Sequence, residues 1–207
     1  MIKRIFQDLD ECILHTRVNS PVDQDHVEFV LGEDMHAYRS IIRPCAKELF
    51  AYYNDLVGKE NVYILTTACL DYAEALNQLG EFGLDTDHIF AREHMQKHSY
   101  NTRMHGNPSI LPHVLADRNN VLIDNLPCRH NETKMDFMKI TINNYHQTKE
   151  YYGVNFPDDP FFEKIQKFLK ERIETPLAFD PDITEEQHAQ DSRDFINRET
   201  FRLSQLQ

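Results

Sequence analysis

Cations are scarce in this chain of 207 residues: 22 lysines and arginines stand against 34 aspartates and glutamates, for a formal charge of −12. Binding along a nucleic-acid backbone runs on clustered Lys and Arg, so the charge argues against that backbone as the main partner. A local patch from Arg92, Lys97, Arg103 and His105 is not excluded. Long apolar runs are missing as well. No stretch reaches the length that crosses a bilayer, and Asp8 interrupts the N-terminal apolar run before a secretory segment can form. The four cysteines, Cys12, Cys45, Cys69 and Cys128, are widely spaced and make no C-x-x-C pair. They read as small buried residues in a reducing compartment, so an intracellular, cytoplasmic location is expected. Internal repeats and low-complexity segments are absent. Hydrophobic residues make up 41% of the chain, slightly low, and mean hydropathy is −0.59, which leaves room for one good-sized core with polar extensions.

What is present is organised around Asp8-Leu9-Asp10-Glu11. The apolar run Ile2–Phe6 before it predicts a short buried strand. Two carboxylates follow at i and i+2, positions that point the same way in an extended segment. Taken alone, the stretch reads rather as a strand end followed by a solvated acidic turn. Further along, Thr16–Asp25 reads as a polar loop, and Val27–Leu31 and Ala37–Ile42 as two β runs around Gly32-Glu33-Asp34, a hairpin flap. Arg43-Pro44 opens a helix whose stripe is Leu49, Phe50, Tyr53 and Leu56 and which Gly58 ends. Val62–Leu65 is a second core strand running into Thr66-Thr67. A helix follows, with Tyr72, Ala75, Leu76 and Leu79 inward, closing near Gly80 and Gly83. His88–Ala91, Val121–Ile123 and Met138–Ile142 are further strands, and a helix is expected over Pro108–Asp117. Asp159-Pro160 is an N-cap followed by proline at the first helical position, opening a helix that carries Phe161, Phe162, Ile165, Phe168, Leu169 and Ile173. From Glu174 the chain turns polar, an arm that packs on the domain or docks on a partner.

Alternating strands and helices predict an α/β, Rossmann-like, doubly wound and mainly parallel sheet. In such a sheet chemistry collects beyond the carboxyl ends of the strands. Asp8, Asp10, Thr66 and Asp124 each follow a core strand, so all four are expected on one edge. Crowded carboxylates repel unless a cation sits between them, and a hard divalent ion, Mg²⁺, suits oxygen ligands. A carboxylate can also attack phosphorus and split one hard hydrolysis into two easier steps. Magnesium held by Asp8, Asp124 and a backbone carbonyl would then neutralise nucleophile and phosphate together. Asp10 would protonate the leaving oxygen and later deprotonate the attacking water. Thr66, with the hydroxyl and backbone N–H groups of the Thr66-Thr67 turn, would take the phosphoryl oxygens. A cation from Glu93–Gly106 would complete the charge balance.

Four blocks carry a family resemblance. Asp8-Leu9-Asp10-Glu11-Cys12-Ile13-Leu14-His15-Thr16 resembles the first motif of the haloacid dehalogenase (HAD) superfamily, and within it the polymerase-tail and NLI-interacting-factor phosphatases, which begin D-L-D-E-T-L-x-H. Ile42-Arg43-Pro44 resembles the R-P-G start of their helix, Thr66–Ala73 their T-A-S-x-x-x-Y-A, and Val121–Pro127 their I-L-D-N-S-P. The resemblance covers residues 1–173 in order, the expected phosphatase domain, with a flap at about 13–42 in place of a large cap and a polar arm over 174–207. It implies a Mg²⁺-dependent phosphatase working through an aspartyl-phosphate. Asp8 would be nucleophile and ligand, and Asp10 acid/base and a ligand through its carbonyl. Thr66 would bind phosphate, Asp124 would be the third protein ligand, and Asn125 would orient Asp124 or the metal's water.

Departures from the pattern matter. Cys12 replaces the family's threonine and Cys45 its glycine. The family's lysine before the Asp-Asn strand has no counterpart in Asn107–Leu111, so Lys97, or else Arg103, is taken as the phosphate-binding cation. His94, His98 and His105 fit no zinc spacing and read as surface residues, and Cys69 as core. A phosphomonoesterase acting on phosphoserine or phosphothreonine in a protein is the leading expectation. A small phosphate ester such as a nucleotide is the rival substrate, and a catalytically inactive binding module the rival class.

Overall fold

The computed structural model describes residues 2–21, 26–32, 35–94, 117, 119–125, 138–141 and 161–174. Its centre is β1 (Arg4–Gln7), whose Ile5, Phe6 and Gln7 are all buried. A strand buried on both faces needs apolar residues without alternation, which is what Ile5-Phe6 supplies. β1 pairs in parallel with β5 (Val62–Leu65) on one side and β7 (Asn120–Asp124) on the other, setting Ile5 against Val62 and Val121. β6 (Ile89–Phe90) and β8 (Met138–Thr141) complete a five-stranded parallel sheet in the order β6-β5-β1-β7-β8.

That order is the doubly wound one. The chain builds outward from β1 through β5 to β6, then returns to the other side of β1 with β7 and β8. The reversal falls between β1 and β7, and the crevice beyond a reversal point is where such sheets hold ligands. Asp8 and Asp124 stand on its two lips, and the Asp8 N–H donates to Ile123 O at 2.9 Å across it.

Residues between β1 and the first helix form a three-stranded antiparallel sheet, β2 (Leu14–Val18), β3 (Val27–Leu31) and β4 (His36–Ile42), in the order β2-β4-β3. The expected hairpin is therefore β3 and β4, and Thr16–Val18, which read as the start of a polar loop, belong with Leu14 and His15 to a third strand. Its register, Leu14 opposite Ile42 through Val18 opposite Tyr38, gives backbone partners to a segment whose side chains become exposed toward Val18.

Helix α1 (Ala46–Val57) buries Leu49, Phe50 and Tyr53 on the sheet, each such side chain contributing about 1.5–3 kcal/mol. It ends at Gly58, which sits at φ 85° and donates its N–H to Asn54 O. Helix α2 (Leu70–Leu79) buries Tyr72, Ala73 and Leu76. The expected inward stripe fails at its end: Leu79 is the last helical residue and 40% exposed. Helix α3 (Phe161–Glu174) adds Ile165, Phe168 and Leu169 to the same core and meets α1 edge-on through Phe162 and Tyr52. Tyr63 of β5 stacks on Phe6 of β1 and on Phe90 of β6, which are tilted toward each other. Among the described residues no helix is long and apolar enough to cross a membrane. The helix expected from Pro108, the cap at Asp159-Pro160, and the arm beyond Glu174 lie outside the described residues.

Candidate active site

The loop after β1 is tied tightly. Leu9 O accepts the N–H groups of Cys12, Ile13 and Leu14 at 3.1, 3.0 and 3.3 Å, and the Glu11 N–H donates to Leu14 O at 2.7 Å. Closing so small a loop puts Glu11 at φ 61°, and its carboxylate pairs with His15 Nδ1 at 2.5 Å. Arg43, 2% exposed, holds the loop from below: its Nε donates to Cys12 O at 2.7 Å and its N–H to Ile13 O at 2.8 Å. On the strand side, Gln7 Nε2 donates to Asp8 O at 2.8 Å, and Gln7 Oε1 accepts from the buried Tyr53 hydroxyl at 2.9 Å. The backbone around Asp8 and Asp10 is therefore fixed before any ligand arrives.

On this frame the ligand atoms of Asp8, Cys12 and Asp124 come within 4.8 Å of one another. Asp124 is 9% exposed at the end of β7. Burial drives the Asp8 carboxyl well above the usual carboxylate range, and the charges of Asp124 and Asp10 push it further. Cys12, fully buried, donates its thiol proton to Asp8 Oδ2 at 3.4 Å, and Asn125 Oδ1 lies 3.8 Å from the same sulfur. Burial and the two aspartates raise the thiol far above its ordinary value, so it stays protonated and acts as a donor. Two desolvated carboxylates facing each other are what a hard cation relieves, and oxygen ligands suit magnesium. The residues fit that ion, with the protonated thiol a support to Asp8.

Asp10 takes a different environment. Its Oδ1 accepts from the Tyr72 hydroxyl at 2.6 Å, and burial raises its carboxyl while that bond opposes the rise. The sequence places Tyr72 on the inward face of α2 and at the tyrosine of the T-A-S-x-x-x-Y-A resemblance, with no role assigned to it. Its ring is indeed buried, but its hydroxyl reaches a residue 62 positions earlier, which no helical periodicity can reveal.

Thr66, 2% exposed, follows β5 as its N–H donates to Phe90 O at 2.9 Å. Its Oγ1 accepts the Ala68 N–H at 3.1 Å, leaving its own O–H to donate. Thr67 turns with it, and Arg92 grips this turn, Nε to Thr67 O at 2.9 Å and N–H to Ala68 O at 2.8 Å. Glu93 Oε2 accepts the Leu70 N–H at 2.9 Å, serving the start of α2 where Cys69 offers no side-chain cap. Sequence reasoning had Arg92 only as part of a basic patch. Lys97 and Arg103 lie outside the described residues, as do His98 and His105.

The structure thus brings Asp8, Asp124, Cys12 and Asn125 together, sets Asp10 beside them, and ends β5 in the Thr66-Thr67 turn. A family model described as NLI interacting factor-like phosphatase matches residues 3–178. Among solved structures, Fcp1, an essential RNA polymerase II CTD phosphatase, is similar at 16% identity and a TM-score of 0.45, over 95% of this chain and 63% of its own. An arginine-to-alanine variant of the fission yeast RNA polymerase II CTD phosphatase Fcp1, bound to beryllium fluoride, is similar at 15% identity and a TM-score of 0.43, over the same shares. The chain therefore spans under two thirds of the length of either. No curated protein matches it significantly.

Proposed function

The chain belongs to the NLI interacting factor-like phosphatase family, and on that premise we propose that it is a phosphomonoesterase with Asp8 as its nucleophile. One observation carries the reading: the carboxyls of Asp8 and Asp124, more than a hundred residues apart, lie within 4.8 Å at the reversal point of the sheet.

In the first step a carboxylate oxygen of Asp8 bonds to phosphorus as the bond from phosphorus to the leaving oxygen breaks, giving an aspartyl-phosphate. Asp10 supplies the proton to the leaving oxygen. In the second step it takes a proton from the water that attacks the same phosphorus, which frees phosphate and restores Asp8. The Thr66 hydroxyl and the Thr67 turn receive the phosphoryl oxygens. Lys97 is the proposed charge partner of the phosphate and Arg103 its alternate, so Lys97→Ala is expected to cost more activity than Arg103→Ala. Asp8, Asp124 and the Asp10 carbonyl would hold Mg²⁺, with Asn125 orienting Asp124 or the metal's water. The bound ion supplies neutralisation of charge between nucleophile and phosphate.

The proposed substrate is phosphoserine or phosphothreonine within a protein segment, reached by a domain over residues 1–173. Support comes from the small size of the flap, three short strands β2 to β4 where a large cap would otherwise stand. The polar arm beyond Glu174 is proposed to meet a protein partner. The absence of a cation in Asn107–Leu111 favours a second reading, an inactive fold kept for binding. Incubation with p-nitrophenyl phosphate and Mg²⁺, beside Asp8→Asn, separates the two. Turnover that the variant loses supports the enzyme, and equal, negligible rates in folded protein support the binding module.

A further inference from the structure

A line of four side chains runs from the flap to the proposed acid. Tyr72 donates its one hydroxyl proton to Asp10 Oδ1 at 2.6 Å. Thr16 Oγ1 lies 2.6 Å from the same hydroxyl oxygen, and Ser40 Oγ lies 2.7 Å from Thr16 Oγ1. Each hydroxyl has a single proton, so committing that of Tyr72 to Asp10 fixes the rest. Thr16 donates to Tyr72, and Ser40 to Thr16. Every proton in the chain points toward Asp10. Thr16 on β2 and Ser40 on β4 are a directly opposed cross-strand pair, so the line is built on the flap's own register.

The Tyr72 ring is also gripped. Phe29 of β3 and Tyr38 of β4 pack against it with ring centroids 5.8 and 5.5 Å away, and they stack on each other. All three flap strands therefore determine where the Tyr72 hydroxyl sits.

We infer that Tyr72 is a positioning residue for the acid step, holding Asp10 through Oδ1 so that Oδ2 faces the leaving oxygen, and that the flap sets this alignment through Thr16 and Ser40. The inference rests on Asp10 being the proton donor to the leaving group. A group held by one oxygen and reacting through the other gains from fixed orientation, because a proton donor works only within hydrogen-bond reach of its target.

The leaving group provides the test. The phenolate of phenyl phosphate needs a proton to depart far more than the nitrophenolate of p-nitrophenyl phosphate. kcat/KM reports on that first transfer. For Tyr72→Phe, which keeps the ring and its packing, kcat/KM on phenyl phosphate is expected to fall about 20-fold and on p-nitrophenyl phosphate only about twofold. Thr16→Val should show the same split at about fivefold, and Thr16→Ser, which keeps the donor, should restore wild-type values to within about twofold. Equal losses on both substrates, or none, in Tyr72→Phe overturn the inference. Where that variant fails to fold, the split in Thr16→Val decides on the same terms. Asp10→Asn keeps the two ideas apart. If it too lacks a larger loss on phenyl phosphate, the acid role falls and the inference with it. If it shows that loss and Tyr72→Phe does not, only the inference falls.

Discussion

Cys12 Sγ stands 3.4 Å from Asp8 Oδ2 and donates its proton there, from four residues further along the same closed loop. The pair links a fully buried thiol to the proposed nucleophile. A thiol is a weak donor, so the support it gives is modest and improvable. Cys12→Ser is expected to keep kcat/KM within about threefold of wild type, since a hydroxyl preserves the donor. Cys12→Val removes it and is expected to cost about tenfold. Steady-state kinetics on p-nitrophenyl phosphate separates the two, and a Val variant as active as wild type would show that Asp8 needs no such support.

Chelation should abolish turnover and added Mg²⁺ should restore it. The ligand atoms of Asp8 and Asp124 come too close in a desolvated crevice to sit comfortably as bare anions. Full activity in excess EDTA, with the metal content checked by elemental analysis, would remove the ion from the reaction.

The same crowding makes a statement about stability without metal. Burial, then Asp124, then Asp10, hold the folded Asp8 carboxyl well above its unfolded value. The stability that its protonation contributes is fully present below the unfolded value of about pH 4 and is lost as pH rises through the folded one. In chelator, Tm is therefore expected to fall as pH is raised from the acid side toward neutrality. Asp8→Asn should flatten that slope and be more stable than wild type at neutral pH by roughly 1 kcal/mol or more. Thermal melts across pH in EDTA would read both, and a wild type whose Tm rises with pH in step with the variant would contradict the crowding.

Tyr53 offers a measure of the frame beneath the site. Its hydroxyl donates to Gln7 Oε1 at 2.9 Å, and both residues are fully buried. Tyr53→Phe leaves that amide oxygen without its donor and is expected to lower stability by about 1–3 kcal/mol. Denaturant unfolding in the presence of Mg²⁺ gives the number. A neutral result would mean that Gln7 finds another donor.

Much of the candidate site's placement was legible because its residues are tied to strand ends. β1, β5 and β7 announce themselves as short apolar runs, and the acid or hydroxyl that follows each is then placed by the geometry of a parallel sheet. What could not be read came from contacts across elements. Leu14–Val18 carries His, Thr and Arg among its five residues, so only pairing with β4 makes it a strand. Tyr72 counts as apolar in a helical stripe, and a stripe is silent about its hydroxyl. Arg92 looked like a surface cation, yet it braces the Thr67 turn. Leu79 fell on the inward face by spacing, but the helix stops there and the side chain turns out to solvent.

The first lip of the crevice comes from β1, while the second comes from β7, more than a hundred residues later. During synthesis the proposed nucleophile therefore emerges from the ribosome long before its facing aspartate exists. Until residue 124 is out and docked, the nascent chain holds half of the proposed cation site, and a fragment ending before it is expected to carry the first motif yet show no turnover in a test tube. Adding back the missing half as a separate piece should recover turnover only as fast as the two lips can find each other.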